Sequence, residues 1–167
     1  MATNAKYWVC GDGFIHHWDG ENWSVQDISN ILTPHPTLRL HAICGLDENN
    51  LYAVGATDQS TSTNLPLLIT STDGGSSWTK ETLPNPPNAI KFTFFDVIAF
   101  SASEVYIVRH EYFSVKEYRV WKWNGSTLTQ VGSIIYSHLG SICGTSSNNL
   151  LINGGYPPNI GTINPAD

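Results

Sequence analysis

Short runs of apolar residues, separated by polar turns rich in Gly, Asn, Asp and Ser, occupy most of this chain. Many of the runs are β-branched and aromatic, for example EVYIVR at residues 104–109. Runs of this composition between such turns are typical of β-strands. No segment sustains an apolar period of 3.6 residues, so the pattern predicts no helices of any length. We therefore expect an all-β protein.

One group of strands recurs along the chain. Four similar runs end at residues 11, 55, 109 and 154, so the intervals between them are 44, 54 and 45 residues. An apolar run precedes three of these four, and a further run closed by a glycine turn follows three of them. A unit of four short strands repeated at this interval is typical of a β-propeller blade. We name the four strands A to D, from the central channel outward.

This repeat predicts a single propeller domain, or part of one, with about 3.5 blades. Two blades are complete, at residues 39–84 and 92–132, and the others are partial, at residues 7–28 and 137–164. The first partial blade has strands B, C and D, and the last has A, B and a weaker third strand at 161–164. The alternative is a generic β-sandwich with accidental self-similarity.

The turn at residues 71–78, STDGGSSW, resembles the Asp-box, also called the bacterial neuraminidase repeat, Ser-x-Asp-x-Gly-x-x-Trp. All four positions are filled, and a shortened copy occurs at residues 18–23. The residues that match are Ser71, Asp73, Gly75 and Trp78 in the full box and Asp19, Gly20 and Trp23 in the short one. A degenerate copy has Asn124 in place of the aspartate and Leu128 in place of the closing tryptophan.

The resemblance implies a sialidase-like propeller with each box on a C–D hairpin at the outer rim. Asp73 and Asp19 are then expected to accept backbone N–H bonds within their turns, beneath a tryptophan packed over the hairpin. The resemblance does not carry over sialidase activity, because the family includes both enzymes and lectin-like, carbohydrate-binding propellers.

Composition narrows the classes of partner. The 167 residues include 8 Lys+Arg and 14 Asp+Glu, for a net charge of −6, and only 13% of them are charged. Low charge with many aromatic residues excludes disorder, and the acidic balance argues against nucleic acid as a partner.

No apolar run is long enough to cross a bilayer, so no membrane insertion is expected. The start of the chain does not resemble a signal peptide. The family resemblance implies an extracellular, cell-surface or virion location, and the alternative is the cytoplasm.

Metal and cofactor chemistry has no support in the sequence, so neither is expected. The three cysteines, Cys10, Cys44 and Cys143, include no Cys-x-x-Cys pair and each lies in an apolar run, so we expect small buried side chains. A catalytic thiol or an interchain disulfide is the alternative. His16 and His17 are adjacent on a predicted strand and point to opposite faces, which excludes a paired metal site.

Variation in turn length points to one face of the propeller. The A–B turns are short and similar, whereas the B–C turns and D–A connections, which share the opposite face, differ in length. A binding function is expected on that face, which we call the loop face. The candidate ligand-binding residues there are Arg39, Asp58, His110, Glu111, Tyr112 and Tyr156. A glycan or a protein loop suits this mixture of side chains, and plain variation in solvated loops is the alternative.

A catalytic role is less favoured, and no catalytic residue is assigned. Sialidases bind the carboxylate of their substrate with three arginines, and this chain also has three arginines, Arg39, Arg109 and Arg119. The family's Arg-Ile-Pro start motif is absent, and such enzymes need about six blades. Arg109 stands where the other repeats have glycine. A charged side chain that faces water at the end of the strand would equally explain an arginine at this position.

These observations favour a non-catalytic propeller module that binds a glycan or protein through its loop face and self-associates through its incomplete blades. One alternative is a fragment of a sialidase-like glycoside hydrolase. Another is a structural subunit that forms a ring or filament by strand exchange. Because open sheet edges attract further strands, we expect a homo-oligomer or the remainder of a larger propeller as a partner.

Overall fold

A computed structural model describes residues 5–32, 38–57, 65–83, 92–112, 116–134, 139–154 and 159–163. These residues form fourteen β-strands in four antiparallel sheets, together with a short 3-10 helix, Ser29–Leu32.

The two middle sheets have four strands each. The second sheet contains β4 (Leu38–Gly45), β5 (Leu51–Thr57), β6 (Leu65–Ser71) and β7 (Thr79–Lys80). The third contains β8 (Phe92–Ser101), β9 (Glu104–Tyr112), β10 (Lys116–Trp123) and β11 (Leu128–Ile134). In both sheets the spatial order of the strands follows the chain, and each neighbouring pair is antiparallel.

The two end sheets have three strands each. The first contains β1 (Tyr7–Cys10), β2 (Phe14–Trp18) and β3 (Trp23–Asp27). The last contains β12 (Leu139–Ser146), β13 (Asn149–Gly154) and β14 (Asn159–Ile163). By comparison with the middle sheets, the described residues of the first sheet include no innermost strand, and those of the last sheet include no outermost strand. The predicted fold class, two complete and two partial four-stranded blades, is confirmed.

The hydrophobic core is divided into three clusters that lie between consecutive sheets. Ile15 of the first sheet packs with Leu40 and Leu67 of the second. Leu68 of the second sheet packs with Phe94 of the third, in a separate cluster. The last cluster joins Val108 of the third sheet to Ile152 of the fourth. Sheets that pack face to face in chain order are blades, whereas a sandwich would bury one common core between two sheets.

The innermost strands β4 and β8 each carry a β-bulge near their loop-face end. In β4 the register with β5 shifts between Leu40 and Ala42, so His41 is the extra residue. In β8 the register with β9 shifts between Phe94 and Asp96, so Phe95 is the extra residue. Bulges redirect side chains and are common beside functional sites. At the loop-face end of the inner strands, the side chains redirected in this way are those of His41 and Phe95.

The cysteines differ from the expectation at one position. Cys10 and Cys44 are partly buried and pack against the first and second core clusters. Burial raises the pKa of the Cys10 thiol to about 11 and that of Cys44 to about 12. Cys143, however, is exposed on β12, so the prediction of a buried side chain is wrong there.

Across the described segments, no helix has the length and apolar character needed to cross a membrane.

Candidate functional site

The loop face brings the first and second sheets together around one ion pair. The Nε atom of Arg39, near the start of β4, lies 3.4 Å from Oδ1 of Asp12 in the turn between β1 and β2. The same turn is tied to β4 by the backbone, because the N–H of Leu40 donates to the carbonyl of Gly11 at 3.3 Å. Both charged side chains are more than half exposed, at 55% and 73%. The pair is therefore open to a ligand.

A row of four aromatic rings crosses from the second sheet to the third beside this pair. The His41 ring stacks on Phe95 with 5.0 Å between centroids, and Phe95 in turn lies 5.7 Å from His110. His110 stacks on Tyr118 at 4.3 Å, with 12° between the ring planes. The bulges at His41 and Phe95 place the first two rings of this row, and His41 is exposed at its outer end.

Partial burial and neighbouring charges both change the pKa of the His41 imidazole. Partial burial of the imidazole lowers its pKa below 6.5, the positive charge of Arg39 lowers it further, and the carboxylate of Asp12 opposes the shift. The imidazole is therefore neutral at pH 7, when it can donate a hydrogen bond from one ring nitrogen and accept one at the other. We call Asp12, Arg39, His41 and Phe95 the loop-face cluster.

The structure places the six predicted ligand-binding residues very differently from one another. Arg39 is exposed on the loop face, as expected. Asp58 and Tyr156 lie outside the described residues. The sequence places His110, Glu111 and Tyr112 in a B–C turn of the loop face, but β9 continues to Tyr112 and β10 begins at Lys116, so that expectation is wrong for these three residues. His110 is only 3% exposed, so a ligand could not reach it without rearrangement.

Arg109 is a second departure from the sequence-based expectation. It is 1% exposed rather than facing water, and its guanidinium carbon lies 4.1 Å from the centroid of Phe92 and 4.9 Å from that of Trp121. A planar guanidinium stacks well on aromatic rings, which explains how a cation is accommodated here. Arg119, opposite it on β10, donates to Gln130 at 2.9 Å. The three arginines thus have three different environments, and the buried one is shielded from any ligand.

The full Asp-box forms a hydrogen-bonded turn between β6 and β7. Oδ1 of Asp73 accepts bonds from the Ser71 hydroxyl at 2.7 Å and the Ser77 backbone N–H at 2.9 Å, and Oδ2 accepts from the Ser77 hydroxyl at 2.6 Å. These bonds, chiefly the one from the Ser77 hydroxyl, lower the pKa of Asp73 to about 2. Gly74 and Gly75 have φ of 71° and 85°, which only glycine adopts readily.

The Asp-box turn is clamped to the neighbouring sheet by one side chain. Gln26 of β3 accepts a bond from the indole N–H of Trp78 at 2.9 Å and donates to the carbonyl of Ser76 at 3.1 Å. A cleft of about 230 Å³ lies beside this clamp, lined in part by the stacked rings of Trp8 and His17. The box therefore lies in the contact between two sheets as well as in its own hairpin.

The two imperfect boxes use the same turn chemistry. Oδ1 of Asp19 accepts from the backbone N–H of Glu21 and of Asn22, both at 2.7 Å. The amide oxygen of Asn124 likewise accepts from the backbone of Ser126 and Thr127. Trp23 differs from Trp78, however, since it is 55% exposed whereas Trp78 is 8% exposed.

Sequence reasoning missed one carboxylate on an inner strand. Oδ2 of Asp96, on β8, accepts a bond at 2.8 Å from the backbone N–H of Ile142 on β12. Burial raises the pKa of Asp96, and the bonds from Ile142 and Val97 oppose the rise. The signal in the sequence that could have identified this carboxylate was one charged residue, Asp96, within the apolar run FFDVIA at residues 94–99.

Among the residues whose placement is described, no three His, Cys, Asp or Glu side chains are arranged to hold a metal ion.

Comparisons with known proteins place this chain in no family. No protein-family model matches it, and no curated protein matches it. It is similar to a solved structure described as "YCF48 bound to D1 peptide", with a TM-score of 0.41 and 10% sequence identity. That alignment covers 100% of this chain and 78% of the other. The propeller assignment rests on the sheets themselves, and the resemblance to the Asp-box is a likeness of the turn residues alone.

Proposed function

We propose that this chain is a non-catalytic propeller module that binds a loop or extended segment of a partner protein through its loop-face cluster. The observation that carries the proposal is the exposed pair of Arg39 and Asp12 beside the exposed imidazole of His41. A cation, an anion and a neutral imidazole within one small area offer hydrogen bonds to both side chains and backbone of a polypeptide.

The aromatic rings at this end of the fold favour a protein over a glycan. Sugars stack on flat, open aromatic faces, but Phe95 lies between His41 and His110. Phe92 is covered by Arg109, and Tyr118 is 8% exposed and stacked on His110. None of these three rings offers an open face. Polar recognition with charge complementarity, which is typical of the rim of a protein interface, suits the site better.

Binding to a peptide array and to a glycan array, with the same labelled protein, tests the proposal. We expect binding to peptides that is weakened at least tenfold by Arg39→Met. The matched control is Lys80→Met, since Lys80 is exposed on the outermost strand β7, away from the cluster. This control should bind the same peptides unchanged.

Three results would overturn the proposal. If the chain binds glycans and not peptides, the ligand class is wrong. If peptides bind equally well to Arg39→Met and to the unaltered chain, the site is wrong. If neither array retains the protein at concentrations near 1 mM, a range in which even weak complexes form, the binding function is wrong.

A further inference from the structure

The first sheet has one face that contacts the second sheet and one that does not. Side chains alternate between the two faces along each strand. Trp8 and Cys10 of β1 and Ile15 of β2 pack against the second sheet. Their neighbours in sequence, Tyr7, Val9 and Phe14, therefore lie on the opposite side. We call that side the outer face of the first sheet.

Strand register shows that the outer face is a continuous apolar surface. Tyr7 pairs with Trp18 and Trp18 with Trp23, which makes one row of three aromatic residues. In the next row Val9 pairs with His16, and His16 pairs with Val25. Trp18 is partly buried, and the other large apolar residues of the face are highly exposed: Tyr7 56%, Val9 51%, Phe14 45%, Trp23 55% and Val25 60%.

Charge is nearly absent from this surface. Along these rows the charged position is Asp27, paired with Phe14 at the end of the sheet. Lys6 lies next to Tyr7 but pairs with Glu48 of the second sheet at 2.9 Å, away from the outer face. An uncharged, aromatic surface of this kind is matched by another apolar surface and not by a charged partner.

The exposed side chains described on β12 and β13 do not provide that match. On β12 and β13 the large apolar side chain that is exposed is Leu151, at 39%, and it pairs with the exposed Cys143. Other exposed side chains described there are polar, namely Ser141, Thr145, Ser146, Asn149 and Asn153. A head-to-tail contact between the first and last sheets of two chains would therefore place tryptophan and valine against asparagine and threonine.

We propose that the outer face of the first sheet is an interface with the same face of a second copy of this chain. The contact is isologous and closes at two subunits. It is a contact of sheet faces, independent of the loop-face cluster and different from the strand exchange expected from the sequence. It goes beyond the proposed binding function and can fail separately from it.

The size of the face agrees with this assignment. An enclosed aromatic side chain buries about 150–250 Å², so half-exposed rings still offer on the order of 100 Å² each. The rings of Tyr7, Phe14 and Trp23 and two valines give on the order of 400–500 Å² of apolar surface, the size of the largest patch on a typical monomer, which is often functional. With a polar margin this approaches the roughly 800 Å² per partner of a standard interface.

The experiment measures molar mass by light scattering on the full chain over a concentration series, before and after Val25→Lys. We expect a dimer whose dissociation constant rises at least tenfold in the variant, because each copy would bury a new charge. Ser24→Lys is the matched control, since Ser24 is exposed on the same strand with its side chain on the opposite face. It should leave the dimer unchanged. Circular dichroism melts confirm that both variants fold, and Val9→Lys repeats the test on β1.

Leu151→Lys separates the proposal from the head-to-tail alternative. In an isologous contact of the first sheets it leaves the dimer intact. Loss of the dimer with Leu151→Lys as well as Val25→Lys would show a head-to-tail contact and overturn the proposal. A monomer at every concentration up to about 1 mM would also overturn it, as would an open series of larger species.

Discussion

The carboxylate of Asp96 on β8 and the backbone N–H of Ile142 on β12 are joined by a hydrogen bond of 2.8 Å. The two residues belong to the innermost strands of the third and fourth sheets, which have no ladder of backbone bonds between them. The other carboxylate oxygen accepts from the N–H of Val97 at 2.9 Å. A side chain thus connects two blades at a point where main-chain pairing does not.

Removing this carboxylate should destabilise the protein in a graded way. Asp96→Ala leaves the partly buried N–H of Ile142 without its acceptor, which costs about 1–3 kcal/mol of unfolding free energy. Asp96→Asn retains an amide oxygen for that N–H and should cost less. Urea unfolding at pH 7 measures both values. Equal stability of the alanine variant and the unaltered chain would contradict the role given to this bond.

The same substitution should change how stability depends on pH. Because burial raises the pKa of Asp96 in the folded chain above its ordinary value of 3.8, the native state binds this proton more tightly than the unfolded state does. The contribution is therefore fully present below that value and is lost as the pH rises through the folded-state pKa. Unfolding curves at a series of pH values should show a smaller decline over this window in Asp96→Asn than in the unaltered chain.

Gly55, on β5, cannot be replaced without disturbing the bulge of the neighbouring inner strand. A Cβ atom at this position would clash with the backbone carbonyl oxygen of Arg39. Gly55→Ala should therefore cost about 3 kcal/mol or more, or prevent folding. Gly11→Ala is the control, because a Cβ there would meet nothing within 4 Å. Thermal melts followed by circular dichroism compare the two, and similar losses would contradict the close approach of β4 and β5.

The clamp between Gln26 and the Asp-box should contribute to the contact of the first two sheets. Gln26→Ala removes the acceptor for the buried indole N–H of Trp78 and the donor to Ser76, at a cost of about 1–3 kcal/mol. Gln26→Glu retains the acceptor and should be milder. The control Gln130→Ala removes an exposed bond to Arg119 and should change stability by less than about 0.5 kcal/mol. Urea unfolding distinguishes these outcomes.

The repeat was visible in the sequence because it is a local property. Most strands contain a short apolar run, most of the turns between them contain Gly, Asp or Asn, and both signals recur in register. The order of strands within each sheet followed from this repeat, since consecutive antiparallel strands in a blade are neighbours. The third strand of the last repeat, expected at 161–164, is present as β14 (Asn159–Ile163).

The environments of individual side chains depend on packing between strands and between blades, which the sequence does not show. Arg109 looked like a surface charge, but it lies between Phe92 and Trp121, which are on the two strands that flank β9 in the same sheet. His110 looked like a loop residue because its neighbours are polar, yet β9 continues past it. Trp23 is exposed because the outer face of the first sheet has no sheet against it among the described residues.

His41 provides the sharpest test of electrostatics in the loop-face cluster. Its pKa is lowered below 6.5 by partial burial and by Arg39, and Asp12 raises it. Arg39→Met should therefore raise the pKa of His41, whereas Asp12→Asn should lower it further. Lys80→Met, a substitution away from the cluster, should have no effect. The chemical shift of the His41 ring proton, followed by NMR against pH, measures each value.

The direction in which stability changes with pH follows from the lowered pKa of His41. Since the folded-state pKa of His41 lies below its ordinary value of 6.5, the unfolded chain binds this proton more readily than the folded chain does. Stability therefore falls as the pH drops from 6.5 towards the lowered value. Arg39→Met should reduce that fall, and Asp12→Asn should extend it to lower pH. If both substitutions moved the pKa of His41 in the same direction, the three side chains would not interact as the cluster requires.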